Sequence, residues 1–173
     1  RKILQAPFRY QPWKPVHARL IAADLLGLSR QPAQADEVHL RALIDWLCRA
    51  QDVRDGHPDA GGVSAGWSFE DGWLPSYPET TGYIIETMLA AAKVLQRPEL
   101  MGRAQRMIDW ELSIQQPDGA FPGHFGAVGS RPVIFNTGQI MHGMVAGLPA
   151  IDLDAGSADD AGVGRPDSTL RRI

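Results

Sequence analysis

The feature that most constrains this chain is that it repeats itself. Ile44-Asp45-Trp46 recurs as Ile108-Asp109-Trp110, and Gln51 recurs as Gln115. Each is followed by an Asp-Gly, Asp55-Gly56 in the first case and Asp118-Gly119 in the second. Thr80-Thr81-Gly82-Tyr83-Ile84 then finds its counterpart in Asn136-Thr137-Gly138-Gln139-Ile140. The order is the same both times: a helix with IDW, a glutamine, Asp-Gly, a glycine-rich loop, Thr-Gly and a second helix. A period of roughly sixty residues with this content predicts a helical-hairpin repeat, in which each unit buries its apolar face against the next.

The spacing of apolar residues places the helices. A short one is expected from His17 to Leu28, and another over 37–51 with Asp36 as N-cap and Leu40, Leu43, Ile44, Leu47, Cys48 and Gln51 on one face. Ser76-Tyr77-Pro78-Glu79 reads as a capping box opening the next, with Ile84, Ile85, Met88, Leu89, Ala92 and Leu95 facing inward. Arg97-Pro98 ends that helix. A further one is expected over 99–116, with Leu100, Ala104, Met107, Ile108, Glu111 and Leu112 along one side, and a last one from Asn136 or Thr137. The IDW helices carry charge on one side, as an outer layer does. Those after Thr-Gly are apolar and rich in small residues, as an inner layer packed all round would be. Residues 1–16, with three prolines and three aromatics, read as an extended arm lying over an apolar surface. The stretch 149–173, rich in Ala, Gly and Asp, reads as a disordered or foreign tail, leaving 17–148 as the helical domain.

Gln115-x-x-Asp118-Gly119-x-Phe121 is similar to the Q-x-x-x-G-x-W turn of the terpenoid cyclase and prenyltransferase α/α toroids. The pattern over about 37–148 also resembles six-hairpin glycosidase-like toroids and proteins with a GW, PSYPETTGY and FNTGQ pattern. The resemblance implies an all-α fold of helical hairpins forming a partial α/α toroid, with its long loops gathered at one mouth. Neither D-x-D-D nor D-C-T-A-E is present, so polyene cyclisation does not carry over, although a terpenoid enzyme stays among the alternatives. With little more than two hairpins, such a toroid is incomplete, and self-association into a homo-oligomer would cover its open flanks.

The chemistry concentrates in Gly61–Met88, where aromatic rings lie beside carboxylates in an irregular loop. Trp67 and Trp73 either stack on sugar rings or fill the gap between helix layers. Glu70 and Asp71 sit between them, as general acid or base candidates or as solvated loop carboxylates. Glu79 at a helix N-terminus suits a nucleophile, base or acceptor, or simply a cap. Tyr77, Tyr83, His124, Asn136 and Gln139 complete the candidate binding set. Cys48 lies on an apolar stripe and reads as a core residue.

A net charge of −3 gives no electrostatic case for nucleic acid or an anionic membrane. One cysteine excludes an internal disulfide framework, no metal-ligand cluster is evident, and no cofactor is expected. The expectation is a cytoplasmic, carbohydrate-binding or carbohydrate-processing domain acting on an oligosaccharide or small molecule. A glycoside hydrolase- or lyase-like activity would need two carboxylates flanking one bond. The alternative is a non-catalytic structural or interaction fragment of a larger toroid.

Overall fold

The computed structural model describes residues 2–158 apart from 29, 31, 33 and 126–129, with side chains described over 6–148. The chain is mostly helical: α1 (Lys2–Tyr10), α2 (Pro15–Leu25), α3 (Asp36–Asp52), α4 (Pro78–Val94), α5 (Glu99–Ile114) and α6 (Ile134–Ala158). Between α3 and α4 lies a small antiparallel hairpin of β1 (Trp67–Ser68) and β2 (Gly72–Trp73), in which Trp67 pairs with Trp73.

Four of the helices pair off, α4 with α6 (termed the inner layer) and α3 with α5 (the outer layer), and within each pair they run parallel. In the inner layer Gly82 of α4 meets Ile140 of α6, and a side chain at Gly147 of α6 would approach Ile85. Both chains therefore ascend together. In the outer layer Arg97 pairs with Asp45, Arg103 with Asp52 and Arg106 with Asp55, so α5 lies alongside α3 in the same direction. Between the layers Ile44, Ile85, Met88, Leu100, Met107, Ile108 and Ile140 are almost wholly buried. Each such side chain contributes about 1.5–3 kcal/mol relative to exposure.

The same local contacts occur in both halves, with Gly61, and not Gly56 as the Asp-Gly pairing suggested, standing where Gly119 stands. Gln51 Nε2 donates to Gly61 O at 2.8 Å, and Gln115 Nε2 to Gly119 O at 3.1 Å. Two residues after each glycine, a backbone N–H donates to the threonine of the inner helix: Val63 to Thr81 Oγ1 at 3.0 Å, and Phe121 to Thr137 Oγ1 at 3.1 Å. Both glycines have positive φ (103° and 88°), which a side chain would strain. These contacts pin each loop to the end of its outer helix and the start of its inner one.

Several expectations are corrected. The segment 1–16 is not an extended arm, because α1 and the start of α2 occupy it. Pro15 sits in the first turn of α2, where a missing N–H costs nothing, and Pro12 lies between helices, whereas Pro7 falls inside α1, against its usual preference. Phe8 and Trp13 remain exposed, touching each other edge to face at 6.0 Å. Asp36 is the first helical residue of α3, with Ala35 as N-cap. Ser76 does not cap α4: Tyr77 holds that position, and the Ser76 hydroxyl donates instead to Asp59 O at 2.9 Å. A tertiary partner outcompetes the local box. Helix α6 runs on to Ala158, past the expected boundary at 148, and residues 159–173 lie outside the described part.

Candidate functional site

The long loop after α3 is fixed by one buried ion pair. Arg54 grips Asp59 through two bonds of 3.0 and 2.8 Å, and Asp59 also accepts the Ser76 backbone N–H. Burial opposes ionisation of Asp59, but Arg54 and Ser76 outweigh it and hold the carboxyl at about 2. The Ser64 hydroxyl, donating to Leu74 O at 2.7 Å, then ties the two sides of the loop at the base of the β-hairpin.

On this base the hairpin carries a band of rings. Trp73 lies 5.7 Å from Trp46 of α3. Opposite Trp73 across the hairpin is Trp67, which meets Phe69 edge to face at 5.0 Å. Both Trp67 and Phe69 pack on His17 of α2, at 5.6 and 4.8 Å. His17 is buried, and its Nδ1 faces two carbonyls, Tyr10 O and Gln11 O, so Nδ1 carries the proton. Trp46, beside Trp73, and Trp67, beside Phe69 and His17, stay 43% and 36% exposed. Trp13, outside the band, is more exposed still at 59%, so what distinguishes these two indoles is the company of other rings on a fixed hairpin.

Polar groups rim the band. Glu70 at the hairpin turn pairs with Arg9 of α1 at 2.7 Å, both exposed. Asp71 accepts from the Ser68 hydroxyl at 3.4 Å, and Ser68 Oγ receives the Asp71 N–H at 2.9 Å. The structure thus brings Trp67, Trp73, Glu70 and Asp71 together on one hairpin. The other candidates lie at the starts of α4 and α6, except His124 in the loop before α6, and Tyr77 packs edge to face on Phe125 at 5.6 Å, joining the two long loops. There Glu79 and Gln139 are half-buried, Asn136 is buried, and Tyr83 and His124 are exposed. His124 takes a positive φ of 41°.

No protein-family model matches the chain, and no curated protein or solved structure matches it. Its own geometry therefore carries the functional reading.

Three clefts on the described surface lie away from these residues. Two adjoin between α3 and α4: one of about 490 Å³ lined by Asp36, Leu40, Arg41 and Val94, and one of about 330 Å³ lined by Leu40, Glu86, Thr87 and Ala90. The third, about 100 Å³, lies between α5 and α6 and is lined by Leu112, Gln115, Phe121, Met141, Val145 and Leu148. None of the ten candidate residues lines any of the three. Among the described residues no cluster of three metal-ligating side chains occurs, and no helix is long and apolar enough to cross a membrane.

Reasoning from the sequence missed three residues that matter. Trp46 and His17 complete the aromatic band, and the recurrence of IDW was the available signal for Trp46. Glu111 is wholly buried with neither carboxylate oxygen hydrogen-bonded, and burial pushes its pKa well above the ordinary carboxyl range. Its repeat counterpart is Leu47, an apolar position, and that comparison alone flags it.

Proposed function

We propose that this chain is a carbohydrate-binding helical-hairpin domain, a partial α/α toroid, and that sugar rings stack on the aromatic band of its β-hairpin. The observation that carries the reading is the pair of partly exposed indoles, Trp46 and Trp67, one in each of two ring groups that the Trp67–Trp73 strand pair sets side by side, with Arg9, Glu70 and Asp71 beside the second. Pyranose rings present C–H faces to an indole and hydroxyls to surrounding carboxylates and guanidinium groups, which this surface offers together. Asp71 and Glu70 act as hydroxyl acceptors in this reading. Processing, rather than binding, would draw on Glu79 with Tyr77, Tyr83, Asn136 and Gln139 at the starts of the inner helices.

Titration of intrinsic fluorescence with a panel of neutral and acidic oligosaccharides tests it. A saturable change that Trp67→Ala and Trp46→Ala each weaken by at least about tenfold, roughly 1.4 kcal/mol, is the expected result. A panel-wide null response in the wild-type chain sinks the reading. The second reading, an interaction module, is favoured by the open flanks of the inner helices, where Tyr83, Val94, Met141 and Val145 are exposed.

A further inference from the structure

The interface between the two halves has two open ends, and the repeat shows what fits them. Where the first half meets the second, glycines provide the room. A side chain at Gly61 would fall 2.9 Å from Arg106 O and 3.0 Å from Trp110 Cβ, and one at Gly82 would fall 2.6 Å from Ile140 Cα. The counterparts of these glycines are Gly119, which makes the same contact with its glutamine, and Gly138, which follows the same threonine. Neither Gly119 nor Gly138 has anything within 4 Å of its Cβ position. The second half therefore presents the same two recesses, empty. The apolar cleft beside them is built from Leu112, Gln115, Met141 and Val145, the counterparts of Cys48, Gln51, Ile85 and Leu89.

At the other end, the surface by which the second half docks has its counterpart on the first half. Met107, Ala104 and Trp110 of α5 correspond to Leu43, Leu40 and Trp46 of α3, and Leu43 and Trp46 are 52% and 43% exposed. Leu40 lines both α3–α4 clefts together with Val94 of α4, and Thr87 lines one of them.

We propose that these two faces bind each other between copies of this chain, head to tail, so that α3 of one copy lies on α5 and α6 of the next. The recurrence of the recesses favours a second copy as the occupant. Inside the chain Asp52 pairs with Arg103 and Arg106. At the open ends the counterparts are Gln116 on one face and His39 and Ala42 on the other. Acid and base are lost together at that pair, whereas Asp109, the counterpart of Asp45, keeps its carboxylate while Arg97 has no basic counterpart in the first half, so shape and not charge carries the contact. The contact continues an interface already present within the chain. Two methyl-bearing residues set its spacing: Ala120 and Thr87 stand where the internal interface has Gly62 and Gly143, both in tight contact. The copies consequently meet at a wider separation than the two halves do, and the association is weaker than the internal one. A heterologous contact of this kind yields rings or open chains rather than a two-fold dimer.

Sedimentation velocity of the full chain, from micromolar to near-millimolar concentration, tests the proposal. The expected result is a mass that rises with concentration. Val145→Glu blocks one face and Leu43→Glu the other, both at exposed positions that leave folding intact, and each variant alone is expected to be monomeric. Mixed together they should form a one-to-one dimer, because each retains the face that the other lacks. Ala120→Gly with Thr87→Gly should tighten association by about tenfold. A monomer at every concentration, or variants that stay monomeric when mixed, overturns the proposal, as does association that neither single variant disturbs. The surface shares Trp46 with the aromatic band but not the hairpin itself, and oligosaccharide binding measured on the monomeric Val145→Glu chain, where no second copy covers Trp46, reports on the carbohydrate reading independently.

Discussion

Glu111 sits in the core at the position where the first half has Leu47, with both oxygens unpartnered. Burial alone raises its pKa, and no neighbouring charge contributes. Burial therefore favours the neutral acid in the native state. In the unfolded chain a glutamate ionises near about 4.3. Above that pH the unfolded state has lost a proton that the native state keeps, so stability falls as pH rises. The contribution is fully present below the unfolded value and is lost on the way up to the native one. The slope is about 1.4 kcal/mol for each pH unit over which the native carboxyl stays protonated. Glu111→Gln removes this slope while leaving a polar group in place. Glu111→Leu removes the slope and also the unsatisfied polar group, which by itself costs about 1–3 kcal/mol. Urea unfolding at pH 5, 6 and 7 reads all three proteins. Wild type should lose stability steadily across the series, Glu111→Gln should be flatter by the slope given above, and Glu111→Leu should be the most stable at pH 7. If Glu111→Gln keeps the wild-type slope, or if Glu111→Leu is less stable than wild type at pH 7, the carboxyl has a partner or an exit to water and the reasoning is wrong.

Asp59 acts at the other end of the pH scale: its carboxyl, held at about 2 against its burial by Arg54 and Ser76, adds stability above the unfolded value that disappears as pH falls to 2. Asp59→Asn should cost about 2 kcal/mol at pH 7 and flatten the acid limb of the melting curve between pH 4 and 2. Gly82→Ala should destabilise by at least about 2 kcal/mol despite alanine's better helix propensity, because the added methyl meets the backbone of Ile140. Gly138→Ala, into open space, should instead gain about 0.5–1 kcal/mol, and thermal melts of the pair separate packing from propensity. Gln51→Leu should cost about 2–3 kcal/mol in denaturant titration, since the buried amide serves Gly61 O, Arg103 O and the Arg103 guanidinium, whereas Gln115→Leu, which loses one bond, should cost about 1 kcal/mol.

Much of the helical layout was legible because it is written in local signals. Proline and apolar spacing placed α3, α4 and α5 within two residues or so of their observed ends. What escaped was decided by partners distant in sequence. Ser76 has the residue type and spacing of an N-cap, but Asp59 offers its hydroxyl a buried acceptor seventeen residues away. Glu111 falls on an apolar stripe by period, and nothing in a periodicity distinguishes a charged residue at the edge of a stripe from one sealed inside it. The aromatic loop was recognisable as a place of concentrated chemistry, yet its sorting into a hairpin group and an inner-helix group depends on His17 and Trp46, which lie outside the loop.

The two tryptophans of the repeated IDW make the underlying point. Trp110 is 5% exposed and rests against Gly61 and Gly62, whereas Trp46, in the same motif on an equivalent helix, is 43% exposed. Their sequences are the same, so the difference lies in what stands next to them. Trp110 has the first half as its neighbour, and Trp46 has Trp73 on one side and water on the other. A repeat thus specifies the shape of each interface but leaves its occupancy to be settled by the surroundings. That is why one residue serves both proposals. As drawn, Trp46 belongs to the sugar-stacking band and borders the face offered to a second copy. If assembly covers it, Trp46→Ala should weaken sugar binding less in concentrated than in dilute protein, while Trp67→Ala should act equally in both. Fluorescence titration at two protein concentrations decides the matter, and a concentration-independent effect of Trp46→Ala in a chain shown to associate would place the indole outside the contact between copies.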